Sequence, residues 1–341
     1  MADRKQIPRQ TIGNLIPPMD DYVYFESPAQ FPFDPAAREF SLVNAGWLMD
    51  SAMLVYGDEA FIHGRVTRLK AELPAADVNI FKGTSTQALV LQTDQFAIVA
   101  FRGTRVEVIP DFIARMQGSR SVDDVERPAS GKMPLLNWRD VVSDAKFVLG
   151  GDGIHTGFRQ ALDQAGVWDT ITAHLQSLAD RPVWFTGHSL GAALATIAAS
   201  RYNAVQPIQG LYTFGSPRVG NGEFAGAVPQ NTVRFVNNQD MVARVPPPIG
   251  GYKHVGTLKF IQPDGVIADD ARGRDALTRR IGKSLTSLNQ LVAKGLRAGV
   301  ADPRGFVSRV RNLDVELPES RWSDHAPINY ACRIWNAVGG N

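Results

Sequence analysis

Cysteine is almost absent: Cys332 is the only one among 341 residues. One thiol cannot build an internal disulfide framework, which removes the small stapled folds and fits a reducing compartment. Long apolar runs are missing too. No stretch reaches the ~18 consecutive apolar residues of a membrane-spanning helix. The charged start at 1–10 is followed by no apolar run of the signal-peptide kind. The location expected from this is cytoplasmic by default, or outside the cell by a route the sequence does not display. Charge of one sign is scarce. Lys and Arg number 36 against 34 Asp and Glu, a formal net charge of +2, too small to point to nucleic acid as a partner. Metal and cofactor signatures are missing as well. No His, Cys, Asp and Glu cluster has zinc spacing, and no glycine-rich loop would cradle phosphate. No metal and no cofactor are therefore expected. Internal repeats and low-complexity tracts are absent.

What is present is core material. Hydrophobic residues make up 44% of the chain and charged ones 21%, which suits one large α/β domain or two modest ones. The order of elements favours a single domain over 1–341. Residues 1–36, rich in Pro, Asp and aromatics, read as an arm packed over it. Residues 37–56 place Leu42, Gly46, Met49 and Met53 at helical spacing. Strand-like runs follow at 76–81, 87–92 and 96–101, parted by Gly83 and Asp94, and read as a β-meander. The third is apolar throughout, the mark of a strand buried on both faces. A long helical pattern runs from His155 to about 178, with Phe158, Leu162, Val167, Ile171 and Leu175 inward. Strands at 183–186, 211–214 and 233–236 alternate with helices at 192–200 and about 220–227. A strand-like run at 252–261, which His254 opens, and a last helix at 327–338 close the pattern. Strands alternating with helices give a mostly parallel sheet with helices on both faces.

Two stretches stand apart. In 105–136, Val108, Ile109, Phe112, Ile113 and Met116 form an apolar stripe at helical spacing, followed by a polar run at 118–134. This reads either as a lid or as a surface helix on a passive loop. Residues 268–320 read as a helical insertion. Leu277, Ile281, Leu285, Leu288, Val292 and Leu296 make one face, and Arg279, Arg280, Lys283, Lys294 and Arg297 the other. A basic amphipathic helix over 276–299 could serve as a peripheral membrane contact, a docking face or a solvated surface helix.

The chemistry centres on Gly187-His188-Ser189-Leu190-Gly191. An apolar β-prone run leads into it and an Ala/Leu-rich helix-prone run leads out. That strand–turn–helix context makes Gly-x-Ser-x-Gly a nucleophile elbow. Glycine at both ends removes a Cβ where the turn is tight. Serine needs a base within reach and a third group to orient that base. Of six histidines, only His325 follows all the core strands and precedes a final helix. His63, His155, His174, His188 and His254 lie in or beside other elements. For the acid, Asp240 follows the apolar strand 233–236 at the expected carboxyl edge, although Asn238-Gln239-Asp240 is also ordinary turn chemistry. Asp264, Asp269 and Asp270 come later, and Asp324 adjoins the base. An oxyanion needs two donors. The N–H of Leu190 is one, and Thr104, after the 96–101 strand, offers the other.

Several of these stretches together resemble the class 3 lipase family. They are the Asn44-Ala45 helix, Phe101-Arg102-Gly103-Thr104, His155-Thr156-Gly157-Phe158, the 187–194 elbow, Phe214 to Gly220, Asn238-Gln239-Asp240 and Asp324-His325. The resemblance runs from about 40 to 335 in family order. It implies an α/β-hydrolase fold and cofactor-free hydrolysis of carboxylesters. Ser189 then looks like the nucleophile, Asp240 the acid and His325 the base. Thr104 takes the place of the family's oxyanion residue, and Asp144 resembles an aspartate that supports its hydroxyl. The 105–136 stripe falls where the family carries its lid, with Ile109, Phe112, Ile113 and Met116 as its substrate-facing residues. Both insertions are longer than the family pattern. The expected function is a triacylglycerol lipase acting on lipid esters at a lipid–water interface. Phospholipase A1 or general esterase is the alternative, and a non-catalytic lipid-binding relative is a further one. The oligomeric state stays open.

Overall fold

The computed structural model describes residues 5–84, 86–103, 148–178, 180–246, 248, 250–269 and 323–340. Its centre is a sheet whose eight described strands lie in chain order: β1 (Asp77–Lys82), β2 (Gln87–Gln92), β3 (Ala97–Phe101), β4 (Val183–His188), β5 (Gly210–Phe214), β6 (Thr232–Asn237), β7 (Thr257–Ile261) and β8 (Ile267–Ala268). β1, β2 and β3 pair antiparallel, which is the expected meander. β3 through β7 pair parallel, and β8 folds back antiparallel on β7.

Strictly sequential order has a consequence for the layers. Right-handed crossovers that always step the same way put every connecting helix on one face. That face carries α4 (Thr156–Asp163), α5 (Val167–Ser177), α6 (Leu190–Asn203) and α7 (Gly222–Ala227). They close over Val99, Phe101, Val183, Phe185 and Leu211. The other face is covered by helices from outside the alternation, α2 (Leu42–Leu54) and α8 (Pro327–Gly339). These pack on Ile98, Ala100, Trp184, Tyr212 and Phe214. Neighbouring residues of β3 and β4 thus feed opposite cores, which is why β3 is apolar throughout and β4 opens on the apolar run 183–185.

Three expectations need correction. The pattern from 155 to 178 is two helices, α4 and α5, because Ala165 and Gly166 take positive φ of 56° and 65° and break the run. The inward residues are as expected, since Phe158, Leu162, Val167, Ile171 and Leu175 are all buried. Pattern spacing survived the break because the chain re-enters the helix on the same apolar face. The run at 252–261 becomes strand only from Thr257, so His254 lies in the preceding loop. Residue 268 ends β8 and so belongs to a hairpin rather than opening an insertion. Two elements carried too weak a pattern to be read: α1 (Ile12–Leu15), one turn long, and α3 (Glu59–Leu69), capped by Asp58.

The N-terminal arm packs as expected. Tyr22, Tyr24, Phe25 and Phe33 enter the core. Its anchor is the buried carboxylate of Asp50 on α2. That group accepts from the Tyr22 hydroxyl at 2.8 Å, the Phe25 N–H at 2.6 Å and the Trp335 indole at 3.1 Å. One side chain thereby joins the arm, α2 and α8. Desolvation raises its pKa to about 6.

Candidate active site

β4 ends at His188 and α6 begins at Leu190, so one residue, Ser189, must reverse the chain. It does so at φ 62°, ψ −129°, a strained conformation for a residue with a Cβ. The two flanking glycines make the turn feasible. A Cβ on Gly187 would lie 2.3 Å from the Gly191 carbonyl oxygen, and one on Gly191 would lie 2.1 Å from the Phe101 carbonyl oxygen. The Ser189 N–H donates to the Phe214 carbonyl at 3.0 Å, which fastens the elbow to β5. Leu190 is the first residue of α6, so its N–H has no acceptor within the helix and lies at the positive end of the helix dipole.

The side chains expected to meet do meet. His325, in a short helical turn before α8, places Nε2 2.9 Å from Ser189 Oγ. Its Nδ1 lies 2.8 Å from Asp240 Oδ2. Asp240 is fully buried. Carboxylate Oδ2 also accepts from the Tyr330 hydroxyl at 2.6 Å, and Oδ1 from the Val242 N–H at 2.8 Å. The last contact is an Asx turn, so the aspartate is a turn former and the partner of a histidine at once. With Nδ1–H held by a carboxylate, Nε2 is left as the acceptor that faces the serine hydroxyl.

The surroundings fix this geometry. Gly215, just past β5, has φ 59°, and a Cβ there would fall 2.7 Å from Asp240 Oδ2 and 3.0 Å from two atoms of the His325 ring. Asp324 binds the acid-bearing loop to the base-bearing one. Its Oδ2 accepts from Asn238 Nδ2 at 3.0 Å and the Gln239 N–H at 3.1 Å, and its carbonyl from Asn237 Nδ2 at 2.9 Å. Burial lifts the Asp324 pKa to about 6. Tyr330 is held by the Asn237 N–H at 2.9 Å, and burial next to Asp240 pushes its own pKa well up.

The other histidines are placed elsewhere. His155 caps α4, accepting from the Gly157 N–H at 3.1 Å, and burial drives its pKa down to about 4. His174 meets Gln92 at 2.7 Å, and His63 is exposed on α3. His188, the last residue of β4, lies against the base, its ring 4.5 Å from the His325 ring. Of the competing acids, Asp264 closes a turn onto the Val266 N–H and Asp269 pairs with Lys259. Asp270, Thr104, Asp144, Ile109, Phe112, Ile113 and Met116 lie outside the described residues, as do the rest of 105–136 and 270–320. Sequence reasoning did not single out Tyr56, Gly215 or Tyr330. Gly215 stands in the Phe214-to-Gly220 motif, which was its one available signal. Among the described residues, no group of three or more His, Cys, Asp or Glu could hold a metal, and no helix is long and apolar enough to cross a membrane.

Residues 98–249 match the family described as Lipase (class 3). The chain is 38% identical over 141 residues to Secreted mono- and diacylglycerol lipase 1 of Fusarium solani, covering 36% of this chain and 40% of that protein. It is 34% identical over 145 residues to Secreted mono- and diacylglycerol lipase A of Penicillium cyclopium, covering 38% and 46%. A Lipase of Rhizomucor miehei is 28% identical over 185 residues, covering 50% and 49%. The aligned stretch is thus less than half the length of each of these relatives. Among solved structures, a mutant of MDLA from Penicillium cyclopium is similar with a TM-score of 0.51 at 21% identity, over 74% of this chain and 95% of that one. The shared fold is the α/β-hydrolase fold.

Proposed function

We propose that this chain, with its class 3 lipase core, is a serine carboxylester hydrolase acting on acylglycerols. One observation carries the reading. Ser189, at a strained elbow, is in hydrogen-bond reach of His325, which is itself held by a buried aspartate. In the reaction, His325 Nε2 takes the Ser189 proton as Oγ bonds to the ester carbonyl carbon. Asp240 keeps the ring oriented and balances the imidazolium. The Leu190 N–H and Thr104 stabilise the oxyanion, with Asp144 supporting the Thr104 hydroxyl. The tetrahedral species collapses as His325 passes its proton to the leaving alcohol. Water, deprotonated by the same histidine, then releases the acid and restores Ser189.

The first relatives are named for mono- and diacylglycerols, which puts partial glycerides beside triacylglycerol as substrates. Phospholipid and simple esters remain the alternatives. We treat 1–341 as one hydrolase domain, with 105–136 and 269–320 as insertions and 276–299 as the segment that would meet a membrane. Relatives named as secreted agree with the export arm of the location expectation and not with the cytoplasmic one. A panel of mono-, di- and triacylglycerol, phosphatidylcholine and a short-chain ester, each dissolved and emulsified, tests the reading. Hydrolysis of glycerides that vanishes in Ser189→Ala is expected. Glyceride hydrolysis at the wild-type rate in that variant would refute it.

A further inference from the structure

His188 is buried between the two halves of the site. Its ring lies 4.5 Å from the His325 ring, centroid to centroid, with the planes 31° apart. Its Nε2 is 2.7 Å from the His325 carbonyl oxygen. A carbonyl only accepts, so Nε2 carries a hydrogen. Burial, together with the neighbouring His325, holds the His188 pKa well below the ordinary value, so the ring is neutral and has one N–H. Nδ1 is therefore an acceptor. The Tyr56 hydroxyl, just past α2, lies 3.2 Å from it and must donate. The Tyr56 oxygen also lies against Gly103, two residues past β3. At Gly103 the chain is pressed onto the site. A Cβ there would lie 2.1 Å from the Tyr56 oxygen, 2.8 Å from the His188 carbonyl oxygen and 3.2 Å from Ser189 Cβ.

We propose that Tyr56 and His188 are positioning residues. Together they tie the turn after β3 to the backbone of the base: the Tyr56 oxygen packs against Gly103, its O–H donates to His188, and the His188 N–H donates to His325. Each link leaves the next proton a single place. The chain crosses behind the nucleophile, so it sets how far the Gly103 turn stands from the base on either side of Ser189. It also keeps a neutral ring against His325 at the moment His325 becomes charged. Loss of the Tyr56 hydroxyl strands His188 Nδ1 and leaves a gap against Gly103. The other tautomer of His188 then opens up, with a bare Nε2 facing the His325 carbonyl. The inference rests on the hydrolase reading above.

The test is a double-mutant cycle of Tyr56→Phe and His188→Gln in the full chain, assayed on a soluble short-chain ester. Tyr56→Phe keeps the ring and its packing. We expect it to lower kcat by roughly 10- to 100-fold with KM within about twofold, as for a misplaced rather than missing group. In the His188→Gln background the same change should cost less than about threefold, because the link it breaks is already gone. A kcat unchanged by Tyr56→Phe, or an equal factor in both backgrounds, overturns the proposal. Should His188→Gln fail to fold, the kcat-against-KM split of Tyr56→Phe decides alone, since a purely structural tyrosine would lower thermal stability and leave kcat intact. A wild type that neither hydrolyses the ester nor reacts with an organophosphate overturns the hydrolase reading and this proposal with it. A normal wild type with an indifferent Tyr56→Phe overturns the proposal alone.

Discussion

Asp50→Asn should stabilise the protein at neutral pH and leave it unchanged in acid. Asp50 sits at the junction of the arm, α2 and α8, with no exposed surface, and its pKa rises from 3.8 to about 6. Burial is the first cause; the Lys5 charge and the hydrogen bonds from Phe25, Tyr22 and Trp335 offset part of it. A raised carboxyl pKa means the folded chain holds the proton more tightly than the unfolded one. The stability it contributes is complete below the unfolded value and is lost as pH climbs through the folded one. A shift of about two pKa units corresponds to about 3 kcal/mol, all of it lost by pH 7. Asparagine mimics the protonated form. Its oxygen can accept from the Phe25 N–H and the Trp335 indole, and its amide can donate to the Tyr22 oxygen. Urea unfolding of both proteins at half-unit steps from pH 4 to 8 reads the difference. The curves should lie within about 1 kcal/mol at pH 4 and part by about 2–3 kcal/mol at pH 7, with the variant above. Parallel curves across that range, or a variant weaker at every pH, would refute the reasoning.

Three further outcomes follow from the site. Gly215→Ala puts a methyl group against Asp240 and His325 at a left-handed position. It should lower kcat by roughly 100-fold or more while far-ultraviolet circular dichroism stays native. Tyr330→Phe removes the hydroxyl that donates to Asp240 and accepts from the buried Asn237 N–H. It should cost about 2–3 kcal/mol in urea unfolding and lower kcat more than it changes KM. On the proposed reading Thr104 supplies one oxyanion donor, so Thr104→Val should bring kcat down by about 100-fold, near 3 kcal/mol, in steady-state kinetics, with KM little changed.

The elbow was legible because three constraints coincide within 183–200: an apolar strand, two glycines without room for a Cβ, and a helix-forming run. Asp240 and His325 were legible because parallel strands deliver their loops to one edge, so chain order alone selects them. The β3 run was legible as doubly buried because it feeds two cores. What stayed hidden depends on tertiary contact. Ala165 has no sequence mark of a left-handed residue, so α4 and α5 read as one helix. α3 has only three buried residues, too few for a clear stripe. Tyr330 and Tyr56 look like ordinary core aromatics until their hydroxyl partners, 90 and 132 residues away in the chain, are in place.

The central claim is that Ser189 is a nucleophile activated by His325 and Asp240. Treatment with a fluorophosphonate, followed by peptide mass spectrometry and an ester assay on the same sample, tests it most directly. The account predicts one adduct per chain, on Ser189, formed in step with loss of ester hydrolysis and abolished in His325→Ala. An adduct on another residue, or hydrolysis that persists after Ser189 is fully labelled, would contradict it.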